Sequence, residues 1–589
     1  MKRIRPLIFA ATVILSAFLA YGLFTLPRPE AVDSEGFSSQ RVLNDIEVIS
    51  RDHHSVAHPQ ERASVREYLV SRLESLGADT VCLFEYDSLV GPQNKHVVYE
   101  FDAVDILAEF APCAVNEDAD EDADEDAAYL MFVAHYDSRY SQPMPKDTVW
   151  SYGAADDGYG VGVALETVSQ LLKERENWKQ GVKVLFTDAE EVGMLGMKSI
   201  WEKDRQVFDN VGLVINIEAR GPWGPALLFE TSPGNEKLME LYARAAEYPY
   251  TYSLTTVVYG LMPNFTDFTV VKDEIPGMNF STVADINHYH TDLDNFSNVS
   301  ARSVQHYGSQ ILPVAQEYLT DPAFADRKAL VADRDVTSFT IPALGLVKMS
   351  GTLYKVVNII VFVLFLLVFA LESFRRRIKP ARVFLMSAIL LVSALGVLLL
   401  FELLSWLCAL ACGANFKPFG IVAGVRFDNI AMIVMTILLS GGCIAFYSHF
   451  RRMSARNACS LRSNAMDHAI EEYSCTVLYG ASALLLILSA VLVFTLGENL
   501  MFLIPLACAT AALILWRVSG WKGWMPMATA LILLHSYSFL YALAMSLTIG
   551  AYGAVAMIAF LDIMVLIPIA DIYCNGKRQS DRKPVYLNR

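Results

Sequence analysis

The chain has 589 residues, of which 54% are hydrophobic and 19% are charged, and its formal net charge is −16. This composition is too apolar for a single soluble globular protein, and the acidic balance does not indicate a nucleic-acid partner. Residues 30–340 have an ordinary soluble composition, whereas residues 353–573 contain one apolar run after another. The sequence therefore predicts a soluble domain and a membrane domain.

The first predicted element is an apolar run at residues 7–26 that is long enough to cross the hydrocarbon core of a bilayer. It follows the basic segment MKRIRP, as the apolar region of a signal peptide does. However, the run is longer than a usual signal-peptide core, and no clear small-residue cleavage site follows it. We therefore predict that residues 1–30 hold an uncleaved membrane anchor, with a cleaved signal peptide as the alternative.

Helical and strand-like segments alternate through residues 31–325. Helical spacing of apolar residues occurs at 38–51, 61–77, 160–174, 235–248 and 300–319, and strand-like runs occur at 80–86, 96–110, 129–137, 183–190 and 212–219. Such alternation is typical of an α/β sheet flanked by helices, in which ligands bind at the carboxyl ends of the strands. We therefore expect a functional site among the polar residues that end these strands.

Three other features of this domain carry weaker predictions. Cys82 and Cys113 are its only cysteines, and they either form a disulfide in an oxidising compartment or remain buried thiols. The segment EDADEDADED at 117–126 is predicted to be a solvated loop, with a weak calcium site as the alternative. The histidines at 53, 54 and 58 are predicted to lie at the surface.

Histidines and carboxylates stand at several strand ends and at one glycine-rich helix start. They are His135 and Asp137 in VAHYDS, Asp156 and Asp157 in YGAADDGYGVG, Glu190 and Glu191 in LFTDAEEVGMLG, Glu218 in VINIEARG and His290 in HYHTDLD. Two divalent cations about 4 Å apart repel each other, so a paired site needs a bridging carboxylate and further anionic ligands. Imidazole and carboxylate groups both suit zinc. The set therefore predicts a metal site.

Two pairs of residues in this set, Glu190 with Glu191 and His135 with Asp137, have predictable roles. One carboxylate must stay off the metal to act as a base, and the neighbours Glu190 and Glu191 can divide the roles of base and ligand. A histidine and an aspartate two positions apart on a strand share one face. We therefore expect Asp137 to bond the second imidazole nitrogen of His135 and to orient it.

Five motifs, AHYDS, GAADDGYG, AEEVGMLG, NIEARG and YHTDLD, occur in the order found in metallopeptidase family 28, and the chain resembles that family over roughly residues 40–320. The family contains zinc exopeptidases, including leucyl aminopeptidases and glutamate carboxypeptidases. The segments GPALLFETSPGN and LMPNFTDFTV further resemble its membrane-bound members, among them the endoplasmic-reticulum metallopeptidase and vacuolar membrane proteases. The resemblance implies an α/β zinc-exopeptidase fold, a mixed sheet flanked by helices, followed here by an all-α multi-pass membrane domain.

The resemblance also implies the role of each site residue. It implies two zinc ions, one on His135 and Glu218 and the other on Glu191 and His290, with Asp156 as the bridge. It implies Glu190 as the general base, Asp157 as a support for the turn, and Arg220, Asn264, Thr266 and Asp267 as lining of the substrate cleft. Capping and turn roles are the alternative for these last four residues, and His288 is the alternative to His290. Glu218 stands where many members of the family have aspartate.

Seven apolar runs follow the soluble domain. They lie at 353–372, 383–411, 428–449, 474–497, 499–516, 525–548 and 550–573. We predict a linker at 326–352, a seven-helix membrane domain at 353–574 and a basic tail at 575–589. Lys and Arg cluster on the loops that this count places on one side, so both termini are predicted to be cytoplasmic and residues 31–325 extracytoplasmic. The compact chain and its short linkers favour a bacterial inner membrane.

The sequence therefore predicts a membrane-anchored di-zinc exopeptidase with a peptide substrate and membrane lipid as partners. An aminopeptidase is favoured over a carboxypeptidase by the anionic site, although Arg220 favours a substrate carboxylate. One alternative is a glutaminyl-cyclase-like enzyme with a single zinc. Another is a transport or scaffold protein, because Glu402, His535 and Asp562 lie within apolar runs. The sequence leaves the oligomeric state open.

Overall fold

A computed structural model describes most of the chain. The described residues are 4–22, 27–91, 100–112, 127–139, 142–143, 148–260, 264–341, 344–420, 422, 425, 427–459 and 463–575. They divide into a soluble unit, 24–340 with 345–351, and a membrane unit, 1–23 with 341–344 and 352–589. Cys113 and the acidic segment 117–126 lie outside the described residues, so the disulfide and the calcium loop stay predictions. The alternative of a buried thiol is wrong for Cys82, which is exposed.

The chain begins with helix α1 (Arg5–Gly22) of the membrane unit. The helices of the soluble unit are α2 (Ser39–Ile49), α3 (Pro59–Ser75), α4 (Gly158–Leu171), α5 (Leu195–Lys203), α6 (Glu236–Ala245), α7 (Ser253–Gly260), α8 (Phe268–Val271) and α9 (Ala301–Thr320). Its strands are β1 (Thr80–Val90), β2 (Glu100–Phe110), β3 (Tyr129–His135), β4 (Gln142–Pro143), β5 (Thr148–Val149), β6 (Gly181–Thr187), β7 (Val211–Ala219), β8 (Leu227–Thr231), β9 (Gly277–Thr282), β10 (Val336–Ile341) and β11 (Gly345–Ser350).

Seven strands form one mixed sheet in the order β1-β2-β6-β3-β7-β9-β8. The four strands β6, β3, β7 and β9 run parallel to one another, and β1, β2 and β8 pair antiparallel with their neighbours. Every residue of the four parallel strands is buried, as expected for parallel strands that are covered by helices on both faces. The predicted α/β fold with a mixed sheet is confirmed, while β8 and β9 were not predicted from the sequence.

Short polar side chains begin the helices that lie beside the sheet. Ser38 accepts a hydrogen bond from the backbone of the first turn of α2, Asp157 does so at α4, and Ser300 does so at α9. Each bond satisfies one of the backbone N–H groups that a helix start leaves unpaired. In addition, Arg41 of α2 forms an ion pair with the buried Glu166 of α4, with a nitrogen to oxygen distance of 2.6 Å.

Residues 326–352 are more structured than the predicted linker. They include β10 and β11, which pair as a two-stranded sheet. The backbone N–H of Thr340 in β10 donates to the backbone oxygen of Thr251 at 2.9 Å, and its hydroxyl donates to the backbone oxygen of Pro249 at 3.0 Å. β10 is therefore part of the soluble unit rather than a free connection.

In the described part of the membrane unit, seven α-helices follow. They are α10 (Gly351–Phe374), α11 (Pro380–Cys412), α12 (Asp428–Cys459), α13 (Ser463–Thr495), α14 (Leu500–Ser519), α15 (Trp524–Leu547) and α16 (Tyr552–Asn575). Within the described residues, six helical stretches are long and apolar enough to cross a membrane, and the last of them, Trp524–Asn575, contains both α15 and α16. The chain is a membrane protein, and the number and direction of its crossings stay predictions.

The prediction that three N-terminal histidines lie at the surface is wrong for His54, whose residue is 1% exposed. Its Nδ1 lies 2.9 Å from the backbone oxygen of Asp52, and its backbone N–H donates to the hydroxyl of Ser138 at 3.2 Å. His53 and His58 are half-buried. The reason is tertiary, because Ser138 comes from the loop that follows β3.

Burial of His306 in α9 predicts a loss of stability in mild acid. Its Nδ1 accepts the backbone N–H of Ala226 at 2.9 Å, and burial lowers its pKa to about 3. Below pH 6.5 the unfolded chain binds a proton that the folded chain excludes. The free energy of unfolding should therefore fall by about 1.4 kcal/mol per pH unit from this group as the pH decreases from 6.5 towards 3.

The measurement is thermal unfolding of the solubilised protein between pH 7.5 and 5, comparing wild type with His306→Gln. The variant keeps an acceptor for Ala226 but lacks the titrating ring, so its melting temperature should fall less on acidification. Equal pH dependence in the two proteins would contradict the assignment.

Candidate metal centre

The parallel strands bring the predicted site residues to one edge of the sheet. His135 is the last residue of β3, and Glu218 is the second-to-last residue of β7. Glu190 begins a short 3₁₀ turn just after β6, and Asp156 lies two residues before α4. Because β6, β3 and β7 are parallel, their carboxyl ends meet at the same edge. His290 reaches this edge from the loop after β9.

Two groups of possible metal ligands share one carboxylate. His135, Asp156 and Glu218 form the first group, and Asp156, Glu191 and His290 form the second; in each group the ligand atoms lie within 4.8 Å of one another. Asp156 Oδ1 lies 3.2 Å from His135 Nε2, and Asp156 Oδ2 lies 3.3 Å from His290 Nε2. The two oxygens of Asp156 therefore face different groups.

Each group is completed by a second carboxylate. Glu218 Oε2 lies 3.8 Å from His135 Nε2, and Glu191 Oε2 lies 3.1 Å from His290 Nε2. All five residues that the sequence predicted as metal ligands are thus brought together. His288 belongs to neither group.

The groups concentrate anionic side chains in a buried space. His135 is 1% exposed, Asp156 4%, and Glu191 and Glu218 each 7%. Burial raises the pKa of Glu218 to about 8, while the nearby His135 acts to lower it and the charge of Asp156 raises it further. Unpaired charges are costly to bury, and a divalent cation in each group would offset them.

Two buried atoms in the second group have free coordinating capacity. Among the described residues, Glu191 Oε1 has no hydrogen-bond partner, and His290 Nε2 makes no well-aligned hydrogen bond although it lies 3.1 and 3.3 Å from the carboxylate oxygens of Glu191 and Asp156. Both atoms are of the type that binds zinc, and the imidazole and carboxylate composition of both groups matches catalytic zinc sites. The residues present therefore fit zinc.

Glu190 lies beside both groups but belongs to neither. Its backbone N–H donates to Asp137 Oδ1 at 2.9 Å. Burial raises the pKa of Glu190 well above its ordinary value; the charge of His135 lowers it, and the carboxylates of Glu218, Asp267 and Glu191 raise it again. Glu190 is therefore a carboxylate held near the metal ligands with its side chain outside both groups.

Two residues of the site region, Ala189 and His290, have a backbone in the left-handed region. Ala189, just before Glu190, has φ of 58°, and His290 has φ of 59°. A residue with a Cβ adopts this conformation at a cost of about 1 to 3 kcal/mol, and such residues cluster at functional sites. At His290, the hydroxyl of Thr291 donates to the backbone oxygen of His288 at 2.7 Å and so stabilises the turn.

Asp137 supports the site in a different way from the one predicted. The Nδ1 of His135 lies 2.9 Å from the backbone oxygen of Asp137 and 3.5 Å from its carboxylate. The carboxylate instead accepts the backbone N–H groups of Glu190 and Glu191, at 2.9 and 3.4 Å. Asp137 therefore orients His135 mainly through its main chain and fixes the Glu190–Glu191 turn through its side chain.

Asp294 was not singled out by the sequence, although it ends the YHTDLD motif. Its carboxylate accepts the backbone N–H groups of Ala155 and Asp156, at 2.7 and 3.3 Å, and the hydroxyl of Ser151 at 2.9 Å. Asp157 accepts the backbone N–H of Gly160 at 3.0 Å and that of His135 at 3.3 Å. Asp294 and Asp157 thus hold the turn that carries the shared carboxylate.

Arg139 is a second residue that sequence reasoning missed. Its guanidinium donates to the backbone oxygen of Glu191 and to Glu191 Oε2, the latter at 3.3 Å. The arginine follows directly on the AHYDS motif, and this position was the only available signal. Arg139 places a positive charge against one metal-ligand group and holds its glutamate.

The four residues predicted to line the cleft lie in different surroundings. The Arg220 guanidinium lies 5.4 Å from the centre of the Tyr289 ring, and this ring stacks on His290 at 3.5 Å. Thr266 accepts a hydrogen bond from Asn279, and Asp267 is fully buried and accepts from Thr187. Asn264 is partly buried. Arg220 is thus beside the site, whereas Asp267 lies in the interior.

Residues 119–315 match the sequence model of Peptidase family M28. The chain is 30% identical over 195 residues to Endoplasmic reticulum metallopeptidase 1 of Homo sapiens, across 32% of this chain and 20% of that protein. It is 26% identical over 344 residues to a Vacuolar membrane protease of Leptosphaeria maculans, across 55% of this chain and 40% of that protein. The chain thus matches well under half the length of either relative.

A Zn-dependent exopeptidase from Parabacteroides distasonis is among the similar solved structures. It is 17% identical, with a TM-score of 0.35, over 48% of this chain and 98% of that chain. The family match and the membrane-bound relatives confirm the resemblance that the five motifs predicted.

Proposed function

Because residues 119–315 match the sequence model of Peptidase family M28, we propose that this chain is a membrane-anchored di-zinc exopeptidase. The observation that carries the proposal is the shared carboxylate, since Asp156 presents one oxygen to each of two buried ligand groups. Two cations close together require such a bridge. His135 and Glu218 would hold one zinc, and Glu191 and His290 the other.

The proposed reaction is hydrolysis of a terminal peptide bond. Zinc in these groups would supply Lewis-acid polarisation of the scissile carbonyl and would acidify water. Glu190 takes the proton from the attacking water and later delivers it to the nitrogen of the leaving amine. The bonds from its turn to Asp137 hold Glu190 in place while its protonation state changes.

The charges around the site favour an aminopeptidase. The charge of Glu218 raises the pKa of Glu190, and the charge of Asp156 raises the pKa of Glu218. Such an anionic environment attracts an α-ammonium group. Of the nearby arginines, Arg139 already pairs with Glu191, and Arg220 lies over the Tyr289 ring. A carboxypeptidase would need a cation that is available for the α-carboxylate.

Two other functions fit the structure less well. A glutaminyl-cyclase-like enzyme would need one zinc, whereas two ligand groups are present. A transport or scaffold role would rest on Glu402, His535 and Asp562, yet within the described residues both metal-ligand groups lie in the soluble unit. The peptidase proposal therefore assigns the chemistry to the soluble unit and membrane attachment to the helices.

The membrane that holds this protein stays a prediction. The sequence favoured a bacterial inner membrane, whereas the curated relatives are named for the endoplasmic reticulum and the vacuole. The orientation with residues 31–325 outside the cytoplasm also stays a prediction.

The test is mass spectrometry of a mixed peptide library incubated with the zinc-loaded, detergent-solubilised protein, with Glu190→Gln as the control. We expect stepwise loss of residues from the amino end with the wild type alone. Loss from the carboxyl end would replace the aminopeptidase by a carboxypeptidase. Cyclisation of amino-terminal glutamine without cleavage would favour the cyclase, and no change in any peptide would refute the proposal.

A further inference from the structure

A row of buried polar residues crosses the neighbouring strands β7, β9 and β8 and ends two positions before Glu218 on β7. Asn216 of β7 is directly opposite Asn279 of β9, and Asn279 is in turn opposite Glu230 of β8. Asn216 and Asn279 are fully buried, and Glu230 is 3% exposed. Because side chains alternate along a strand, Asn216 and Glu218 lie on the same face of β7. The row therefore ends at a proposed zinc ligand.

Hydrogen bonds join the row without a break. Asn216 Nδ2 donates to Glu218 Oε1 at 3.2 Å and to Asn279 Oδ1 at 2.9 Å. Asn279 Nδ2 donates to Glu230 Oε2 at 3.1 Å and to Thr266 Oγ1 at 3.0 Å. Lys272 Nζ donates to Glu230 Oε1 at 2.5 Å.

The charges at the far end determine the direction of every amide in the row. Glu230, paired with Lys272, only accepts hydrogen bonds, so the NH₂ group of Asn279 must face it. The carbonyl oxygen of Asn279 then faces Asn216 and requires a donor there. The NH₂ group of Asn216 consequently faces both Asn279 and Glu218, and Glu218 Oε1 receives a hydrogen bond.

We propose that Lys272, Glu230, Asn279 and Asn216 form a directional relay that positions Glu218 as a zinc ligand. The relay occupies Oε1 and leaves Oε2, the oxygen nearer to His135, for the metal. Glutamate has one more rotatable bond than aspartate, so the carboxylate of Glu218 has more freedom to lose on binding. Asn216 and its partners remove part of that freedom before the metal binds.

This inference rests on the proposed zinc function, and zinc affinity tests it separately from catalysis. Removing a partner of a metal ligand typically weakens metal binding by about 10- to 100-fold. We expect Asn216→Leu to raise one of the two zinc dissociation constants by about this factor and to leave the other unchanged. A Glu218→Ala variant identifies which constant belongs to Glu218.

Substitution at Lys272 tests the direction of the relay far from the metal ligands. Lys272→Met should raise the same zinc dissociation constant as Asn216→Leu does. Lys272→Arg should keep this constant near its wild-type value, because arginine also donates to Glu230. Lys237 is a matched control, since its ammonium donates only to the backbone oxygen of Ala329, at 2.9 Å, among the bonds described. Lys237→Met should bind zinc as the wild type does.

The measurement is equilibrium dialysis of the full-length solubilised protein against zinc buffers, with metal quantified by mass spectrometry. Wild-type affinity in both Asn216→Leu and Lys272→Met would overturn the relay. So would equal weakening in Lys272→Met and Lys272→Arg, since the charge at this position would then be irrelevant. A wild type that binds no zinc would refute both proposals, whereas one that binds two zinc ions but cleaves no peptide would refute the peptidase function alone.

Discussion

Glu190→Gln is expected to lower kcat for peptide hydrolysis by about a hundredfold to ten-thousandfold while both zinc ions stay bound. Glutamine has the size of glutamate but takes up no proton at neutral pH. Glu190 belongs to neither ligand group, and its backbone bond to Asp137 does not involve the side chain that is changed. The substitution should therefore remove proton transfer and leave the ligand positions intact.

The measurement combines steady-state kinetics on a short peptide with zinc quantification on the same preparation. KM should change little, because the loss concerns the transition state more than substrate binding. Glu202→Gln is a suitable control, since Glu202 lies exposed on α5, and it should retain wild-type kinetics. A variant that loses zinc together with activity would show that Glu190 is a ligand, and one with wild-type kcat would show that another group is the base.

Asp156→Ala is expected to remove both zinc ions and to reduce hydrolysis at least as far as Glu190→Gln does. Asp156 is the one residue common to the two groups, and its oxygens lie 3.2 Å from His135 and 3.3 Å from His290. Without it, each group retains one imidazole and one carboxylate, whereas catalytic zinc sites usually have three protein ligands. The repulsion between two cations would also lose its bridging anion.

The control for Asp156→Ala is Glu166→Gln. Glu166 is another buried carboxylate, on α4 and paired with Arg41, so its loss should affect folding stability but not zinc stoichiometry. Zinc content and hydrolysis are measured for both variants. Retention of one tightly bound zinc in Asp156→Ala would show that the two groups bind metal independently, and it would contradict the bridging role.

The soluble domain shows why motifs were predictable and their supports were not. His135, Asp156, Glu191, Glu218 and His290 stand in five short motifs whose order resembles a known family, so their roles could be predicted from the sequence. Asp294 and Arg139 act through contacts with Asp156 and Glu191, which are distant in sequence. Nothing local distinguishes an aspartate that accepts backbone N–H groups from one in solvent.

Strand β9 shows the same limit for secondary structure. Its sequence GMNFST contains polar residues that interrupt an apolar pattern, so no strand was predicted at 277–282. In the fold, Asn279 is satisfied by Glu230 and Thr266, and the strand is buried throughout. A buried amide is stable only when its partners are present, and those partners come from other elements.

The sequence by itself determined that one part of the chain is soluble and another lies in a membrane, that strands and helices alternate, which peptidase family residues 119–315 resemble, and which residue types make up the metal-ligand set. These properties depend on local apolar patterns and on residue types that chemistry restricts. The tertiary structure decided that Asp294 holds the turn that carries Asp156, that Asp137 fixes the Glu190–Glu191 turn, and that Asn216 and Asn279 link Glu218 to Lys272. Such relations depend on distances of a few ångströms between residues far apart in the chain, and only the packed sheet determines them.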